Sequence, residues 1–562
     1  MIREKKKVFA GRNVVIVFAA IVSIIGCGKK ENRTDVFRLN IASGLNSLDP
    51  AQMGSIAAHE IGMQIYDGLV KLDERGNIAP ALAKRWEIED SGKTLRFFLR
   101  SGVKFQSNDC FPGDTGRIVT AGDCKYSFER ICDPRTKSTG WWLFHSTVVG
   151  ADDFHDAIER GETKTGVRGF EAPDDTTFVV RLTRSFAPFL SMLAMPYCYV
   201  VPHEAVEKYS ENFFQHPVGT GAFVLDHWTP DVELVLKRNP FYWDTASQGN
   251  IETINVSFVN DTKTEFLEFT NGELDEVSAI AQGFENAVFD ESGNLQGDYK
   301  KYTSLSLPAL TSEYYGILLD TTEDAAKSSP LATNVKLRQA LNYAIDRDAI
   351  IRYVLRGQAV AAKGVLPPGV RGYDSSRSAY TYDPAKAKEL LAEAGFPDGK
   401  GLPPLTLELG PSEQTASVAE AVQQQLKQAG IQLELRQVDF PQHLAMVREG
   451  KVPLWRTQWV ADYCDAENFL ALFYSKNFSP AGPNTTHFTS AAFDALYEEC
   501  LNASLPDAQR TLAYSTMDSL VVASAPWIFL YYPKTVRLLQ PGIGRFTVDP
   551  LGYFPIAGIV KR

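Results

Sequence analysis

The segment RTQWVADYCDAENFL, Arg456 to Leu470, gathers a guanidinium, large aromatic rings and three carboxylates (Asp462, Asp465, Glu467) within a dozen residues. A fixed carboxylate is the receptor for an ammonium group, and a guanidinium fork matches a carboxylate because two N–H donors meet two oxygens. A solvated loop with a few core aromatics has the same composition. Elsewhere the chain offers little catalytic chemistry. It has no C-x-x-C pair, and none of its eight His stands in H-E-x-x-H or another ligand spacing. G-x-S-x-G, P-loop and G-x-G-x-x-G motifs are missing too. We expect no metal and no cofactor.

The elements that must position this segment alternate between strand and helix signals. TLRFFLR (94–100) and TTFVVRL (176–182) read as strands, and AFVLDHWTPDVELVLKRNP as two strands joined at Thr229-Pro230. NVKLRQALNYAIDRDAI repeats apolar residues at helical spacing behind Asn334, a cap. In DPAKAKELLAEAGF, Asp383 caps, Pro384 opens and Gly395 stops a helix. PLTLELG, SVAEAVQQQLKQAG and IQLELRQV form strand, helix and strand, a crossover that predicts a parallel pair. The fold class is α/β, strand-rich first and helix-rich later. A chain of 562 residues calls for two or three domains.

The N-terminus sets the compartment. MIREKKKVFAGRN is basic, and Val14–Ile25 is an apolar run too short to span a bilayer, which together read as a secretory signal peptide over residues 1–26. The run ends in SIIGC, which resembles a bacterial lipobox and implies cleavage before Cys27 and lipid on that residue, with 27–35 as a tether. The whole chain carries 57 basic and 68 acidic residues; without the leader 52 face 67, a net charge of −15. Such a surface disfavours nucleic acid and anionic membranes as partners of a broad face. Six further cysteines remain. Their connectivity is not readable from spacing, but Cys110 and Cys124 bracket a loop and are the favoured disulfide pair.

SLDPAQ…IYDGL, VTAGDCKYSFERICDPRT, PVGTGAFVL…LKRNPFYW, GELDEV, VKLRQALNYAIDRDAI, LPPG, YDPAKAKELLAEAGF and QWVADYCDAENFL occur in the order found in solute-binding lipoproteins of bacterial oligopeptide and dipeptide ABC importers. The resemblance spans nearly all of the chain past the leader. It implies a two-lobed, Venus-flytrap periplasmic-binding-protein fold (class II) with an extra domain inserted in the first lobe. The first lobe would comprise 36–80, 217–310 and 530–562, the extra domain 81–216 and the second lobe 311–529, with hinges near 310 and 530. It also implies a monomer, lipid-anchored outside the membrane, that hands a peptide to permease and ATPase subunits.

The resemblance places Asp462 against a peptide's α-ammonium and Arg456 against a short peptide's carboxylate. The backbone at Gly54, Ser55 and Ile56 matches an edge that pairs with an extended peptide. Trp141 and Trp142 fall where the extra domain lends an aromatic, one of the pair being core, and Trp459 is pocket wall or lobe core. Gln458 departs from the Gly common before the motif Trp, and Asp465-Ala466 from the usual Asp-Pro. Asp465 and Glu467 are read as structural. So are Gly219, Gly221, Tyr126 and Phe128, with Glu129 and Arg130 at the surface. Two other functions compete: the same fold holding an oligosaccharide, nickel chelate, haem or opine, and an exported hydrolase using its carboxylates as acid and base.

Overall fold

The computed structural model describes residues 34–562 apart from 247, 279, 281, 282 and 378, so the leader and Cys27 lie outside the described residues. Among the described residues no helix is long and apolar enough to cross a membrane.

Three sheets carry the architecture. Strands Val36–Asn40, Thr253–Ser257, Glu233–Arg238 and Phe223–Thr229 lie side by side in that order. The last two form the hairpin read at Thr229-Pro230, paired antiparallel. A second sheet orders Ala83–Glu89, Thr94–Leu99, Thr177–Arg181 and Phe170–Asp174. In Thr94–Leu99, Leu95, Phe97 and Leu99 are buried while Arg96 and Phe98 between them are half-buried, the alternation of a one-sided antiparallel strand. These two sheets share one hydrophobic core, to which the chain end around Phe554 and Ile559 returns.

The third sheet has eight strands. The predicted crossover is there: Leu405–Leu409 pairs parallel with Leu433–Gln437 across helix Glu413–Gln428. Asn334 caps helix Val335–Tyr343 through its side chain, accepting the Leu337 N–H at 3.1 Å. This sheet and its helices have separate cores.

Two segments join the two bodies, the short link between Pro308 and Thr311 and one long strand. Trp527–Leu539 pairs at its start with Thr311–Ile317 and at its end with Thr303–Pro308 and Glu276–Val277. Between these pairings, Pro308 faces Lys534 and the Ala309 N–H reaches Pro533 O at 2.8 Å. The crossover near 530 therefore runs inside a continuous strand.

Three local readings meet the structure directly. A Cβ on Gly221 would lie 2.4 Å from the Ile65 carbonyl carbon, so a close backbone approach demands glycine there. Arg130 is not a surface residue: it gives a bidentate fork to buried Asp49 at 2.9 and 2.7 Å. Nor are Cys110 and Cys124 joined; both are free thiols. Helix Ala121–Cys132 turns Cys124 into the core, with its Sγ 3.8 Å from Thr120 O, while Cys110 stays in a turn held by Asn108.

Candidate functional site

A cavity of about 880 Å³ opens between the two bodies. Strand Leu454–Val460 ends at its wall, and the chain then bends so that Ala461, Asp462 and Tyr463 face inward. Asp462 is held by one residue. Asn468 donates Nδ2 to its Oδ2 at 3.3 Å and accepts its backbone N–H at 3.1 Å. Trp459 fixes that amide in turn, donating Nε1 to Asn468 Oδ1 at 2.9 Å. Among the described residues no basic side chain pairs with Asp462, which is exposed to the cavity while protein crowds its other sides. Desolvation therefore holds its carboxyl above the ordinary range, with the Asn468 amide pulling it back.

The turn behind Asp462 is fastened from below. Asp465 Oδ1 accepts the Glu467 N–H and the Tyr514 hydroxyl, both at 2.9 Å. Buried Glu467 accepts hydroxyls from Tyr463 and Tyr497. Both carboxylates serve the fold.

The other predicted residues divide. Gly54, Ser55 and Ile56 line the cavity where helix Ile56–Ile65 begins, capped by Ser55 Oγ on the Ala58 N–H at 3.2 Å. The first N–H groups of that helix have no acceptor within it. Trp142 also lines the cavity, 6.5 Å from the Tyr463 ring. Trp141 does not: it stacks on His155 at 4.4 Å and packs on the core. Trp459 is likewise no pocket wall but the anchor of Asn468. Arg456 must be corrected most. It is outside the cavity lining and gives its Nε–Nη2 edge to Glu313 at 2.5 and 2.7 Å, one strand over, so that edge of the fork is closed to a ligand.

Ile56, Val460 and Trp142 remain 68, 49 and 43% exposed, so the cavity wall keeps apolar surface in water. A ligand or closure would cover it.

Sequence reasoning missed the opposite wall. His59 lies between the Tyr553 hydroxyl at 2.9 Å and Met53 O at 2.7 Å, and burial lowers its pKa. Asp549 accepts the Leu551 and Tyr553 N–H groups at 2.9 and 3.0 Å, and desolvation raises it to about 6. The signal was available in DPLGYFP, an Asp-turn ending in aromatics, but nothing in it announces a cavity. Asn468 carried no signal.

This architecture, two bodies joined by crossing strands around a lined cavity, is that of a solute-binding protein. The chain belongs to the bacterial extracellular solute-binding proteins, family 5, whose middle region matches residues 77–480. It is 30% identical over 535 residues to the "Probable deoxycholate-binding periplasmic protein YgiS" of Escherichia coli K12, covering 92% of each chain. It is 29% identical over 517 residues to the glutathione-binding protein GsiB of Escherichia coli O1:K1 / APEC, covering 91% of each. The fold is shared with the unliganded open form of the murein tripeptide binding protein MppA, at TM-score 0.79 and 23% identity over 94% of this chain and 97% of that one. HbpA2 from Haemophilus parasuis gives 0.79 and 24% over 94 and 100%.

Proposed function

We propose that this protein captures short peptides by their free N-terminus and delivers them to the permease and ATPase of an ABC importer, without converting them. The observation that carries this reading is the Asp462 carboxylate: fixed by Asn468, unpaired, and facing a cavity lined by both apolar and polar side chains. A peptide ammonium entering there loses water and needs a fixed negative partner. The glutathione-binding relative and the tripeptide-binding fold relative agree with a short ligand. The crossing strands at 308–311 and 531–534 are the natural hinge, and they support a first lobe of 36–80, 217–310 and 530–562, an extra domain of 81–216 and a second lobe of 311–529.

The test is a double cycle by calorimetry. Asp462→Asn should weaken binding of a free-amine peptide by about 2–4 kcal/mol. Acetylating the peptide should cost the unmutated protein a similar amount and the variant little more. Additive losses would detach Asp462 from the amine.

A second reading, an amphipathic carboxylic acid such as a bile acid, draws on the first relative's name and on exposed Ile56, Val460 and Trp142. Asp462 opposes it, because an anionic ligand would meet an unpaired carboxylate. Deoxycholate binding that survives in Asp462→Asn, with no peptide bound by either form, would replace the peptide reading.

Export and lipid attachment at Cys27 complete the proposal, with the protein working as a monomer. The mature N-terminal peptide from bacterial membranes should begin at Cys27 and carry diacylglyceryl mass. An unmodified thiol there, or cleavage elsewhere, would make this a freely soluble exported protein.

A further inference from the structure

Away from the cavity, three side chains from distant parts of the sequence converge. Asp320 follows strand Thr311–Ile317, Glu323 precedes helix Asp324–Lys327, and His487 comes 167 residues after Asp320. One ligand atom of each lies within 4.8 Å of the other two. We infer that Asp320, Glu323 and His487 form a divalent transition-metal site of the zinc class, which pins the loop around His487 to the end of that strand.

The His487 ring makes the case. It is buried to 8% exposure and held face to face with Phe478 at 4.5 Å. Nε2 lies 3.1 Å from Ser479 O and 3.2 Å from Ser479 Oγ, while Nδ1 lies 3.2 Å from Asp320 Oδ2. A neutral imidazole has one proton for these two acceptors. With the proton on Nε2, the Nδ1 lone pair meets a carboxylate oxygen. With it on Nδ1, the Nε2 lone pair meets a carbonyl, and only the Ser479 hydroxyl offers relief. A cation on Nδ1 removes the conflict, because Nε2–H then donates to Ser479 O. That is the arrangement a metal-bound histidine adopts.

The carboxylates fit the same role. Asp320 Oδ1 already accepts the Thr322 N–H and hydroxyl at 2.9 and 2.7 Å, which leaves Oδ2 turned to the ring. No basic side chain among the described residues forms an ion pair with Glu323. Nearby Lys327 is held by Asp324 at 2.8 Å, and Arg448 gives its fork to Pro480 O at 3.1 and 2.9 Å. One imidazole and two carboxylates at about 2.0–2.2 Å, with water in the fourth position, is a donor set zinc accepts. The loop is already tied to this strand end, since the Leu319 N–H donates to Thr486 O at 2.9 Å. None of the three residues lines the cavity, so the metal would stabilise the fold and leave ligand capture unchanged.

The test titrates zinc into the metal-stripped mature protein, read by native mass spectrometry and thermal melting. Glu323→Gln and Asp320→Asn, both at partly exposed positions, serve as variants. The wild type should bind one zinc more than either variant, or the same zinc about tenfold more tightly. Its melting temperature should rise with zinc while those of the variants do not. Equal stoichiometry and affinity in all three proteins would overturn the site, as would no zinc bound at micromolar concentration. In those cases the ring is satisfied without a metal, Nδ1–H donating to Asp320 and Nε2 accepting the Ser479 hydroxyl.

Discussion

Arg456 and Asp462 stand six residues apart in one segment, yet the fold uses them in opposite ways. Arg456 sits within a strand, and its fork closes on Glu313 of the neighbouring strand. Asp462 sits past the strand end, and the one side chain that holds it is a neutral amide. A buried charge with a partner is internal structure, whereas a fixed charge without one is open to a ligand. Pairing, more than residue type or motif, separates the two roles.

The largest expected effect breaks the paired side. Arg456→Met should cost about 3–5 kcal/mol of stability, because it strands Glu313, which is 4% exposed. Adding Glu313→Gln should recover most of that loss. Burial pushes Glu313 up to about 7 even beside Arg456, from an ordinary 4.5. The folded state therefore holds more protons than the unfolded one between those values, and Glu313's contribution to stability is lost as pH rises through that window. Removing Arg456 raises the carboxyl further, so the variant's deficit in chemical denaturation should be smallest near the acid end. If Arg456→Met instead melts like wild type and loses only peptide affinity, the arginine faces the ligand after all.

The free side gives the next effect, in binding instead of stability. Asp462 must be ionised to receive an ammonium, and its carboxyl is raised by desolvation. Affinity for a free-amine peptide should therefore fall as pH drops through that raised value. In Asp462→Asn this dependence should flatten, while chemical denaturation changes little. Calorimetry at several pH values on both proteins checks it. An unchanged pH profile in the variant would shift the titration to another wall group, such as Asp549, which is raised to about 6.

What was legible follows from the range of the interactions involved. The parallel crossover and the Asn334 cap depend on local periodicity and near neighbours, and both could be read from a few residues. The place of Asp462 on the cavity wall could be anticipated from its motif, whereas its role toward a ligand amine is the proposal made above. Arg456 was misread because its partner lies 143 positions away in sequence, and only strand pairing brings Glu313 diagonally beside it, two residues from its register partner Tyr315. The same holds for Arg130 with Asp49, and for the convergence of Asp320, Glu323 and His487. Cys110 and Cys124 failed differently: bracketing a loop says nothing about the direction a helix turns a thiol.

The smallest effect probes what keeps the free side in place. Glu467 lies beneath the Asp462 turn, 4% exposed, with hydroxyls from Tyr463 and Tyr497 as its donors. Desolvation raises its carboxyl and the two hydroxyls lower it, so each donor matters. Tyr497→Phe removes one donor and leaves the ring, which should cost about 1–3 kcal/mol of stability, the range for a buried acceptor left short. Tyr497 is outside the cavity, so a purely structural role predicts peptide affinity close to wild type once the protein is folded. A drop in affinity larger than the drop in stability would show that Glu467 positions Asp462. The line between paired and free charge would then run through the turn itself, and the two ends of the segment would be coupled.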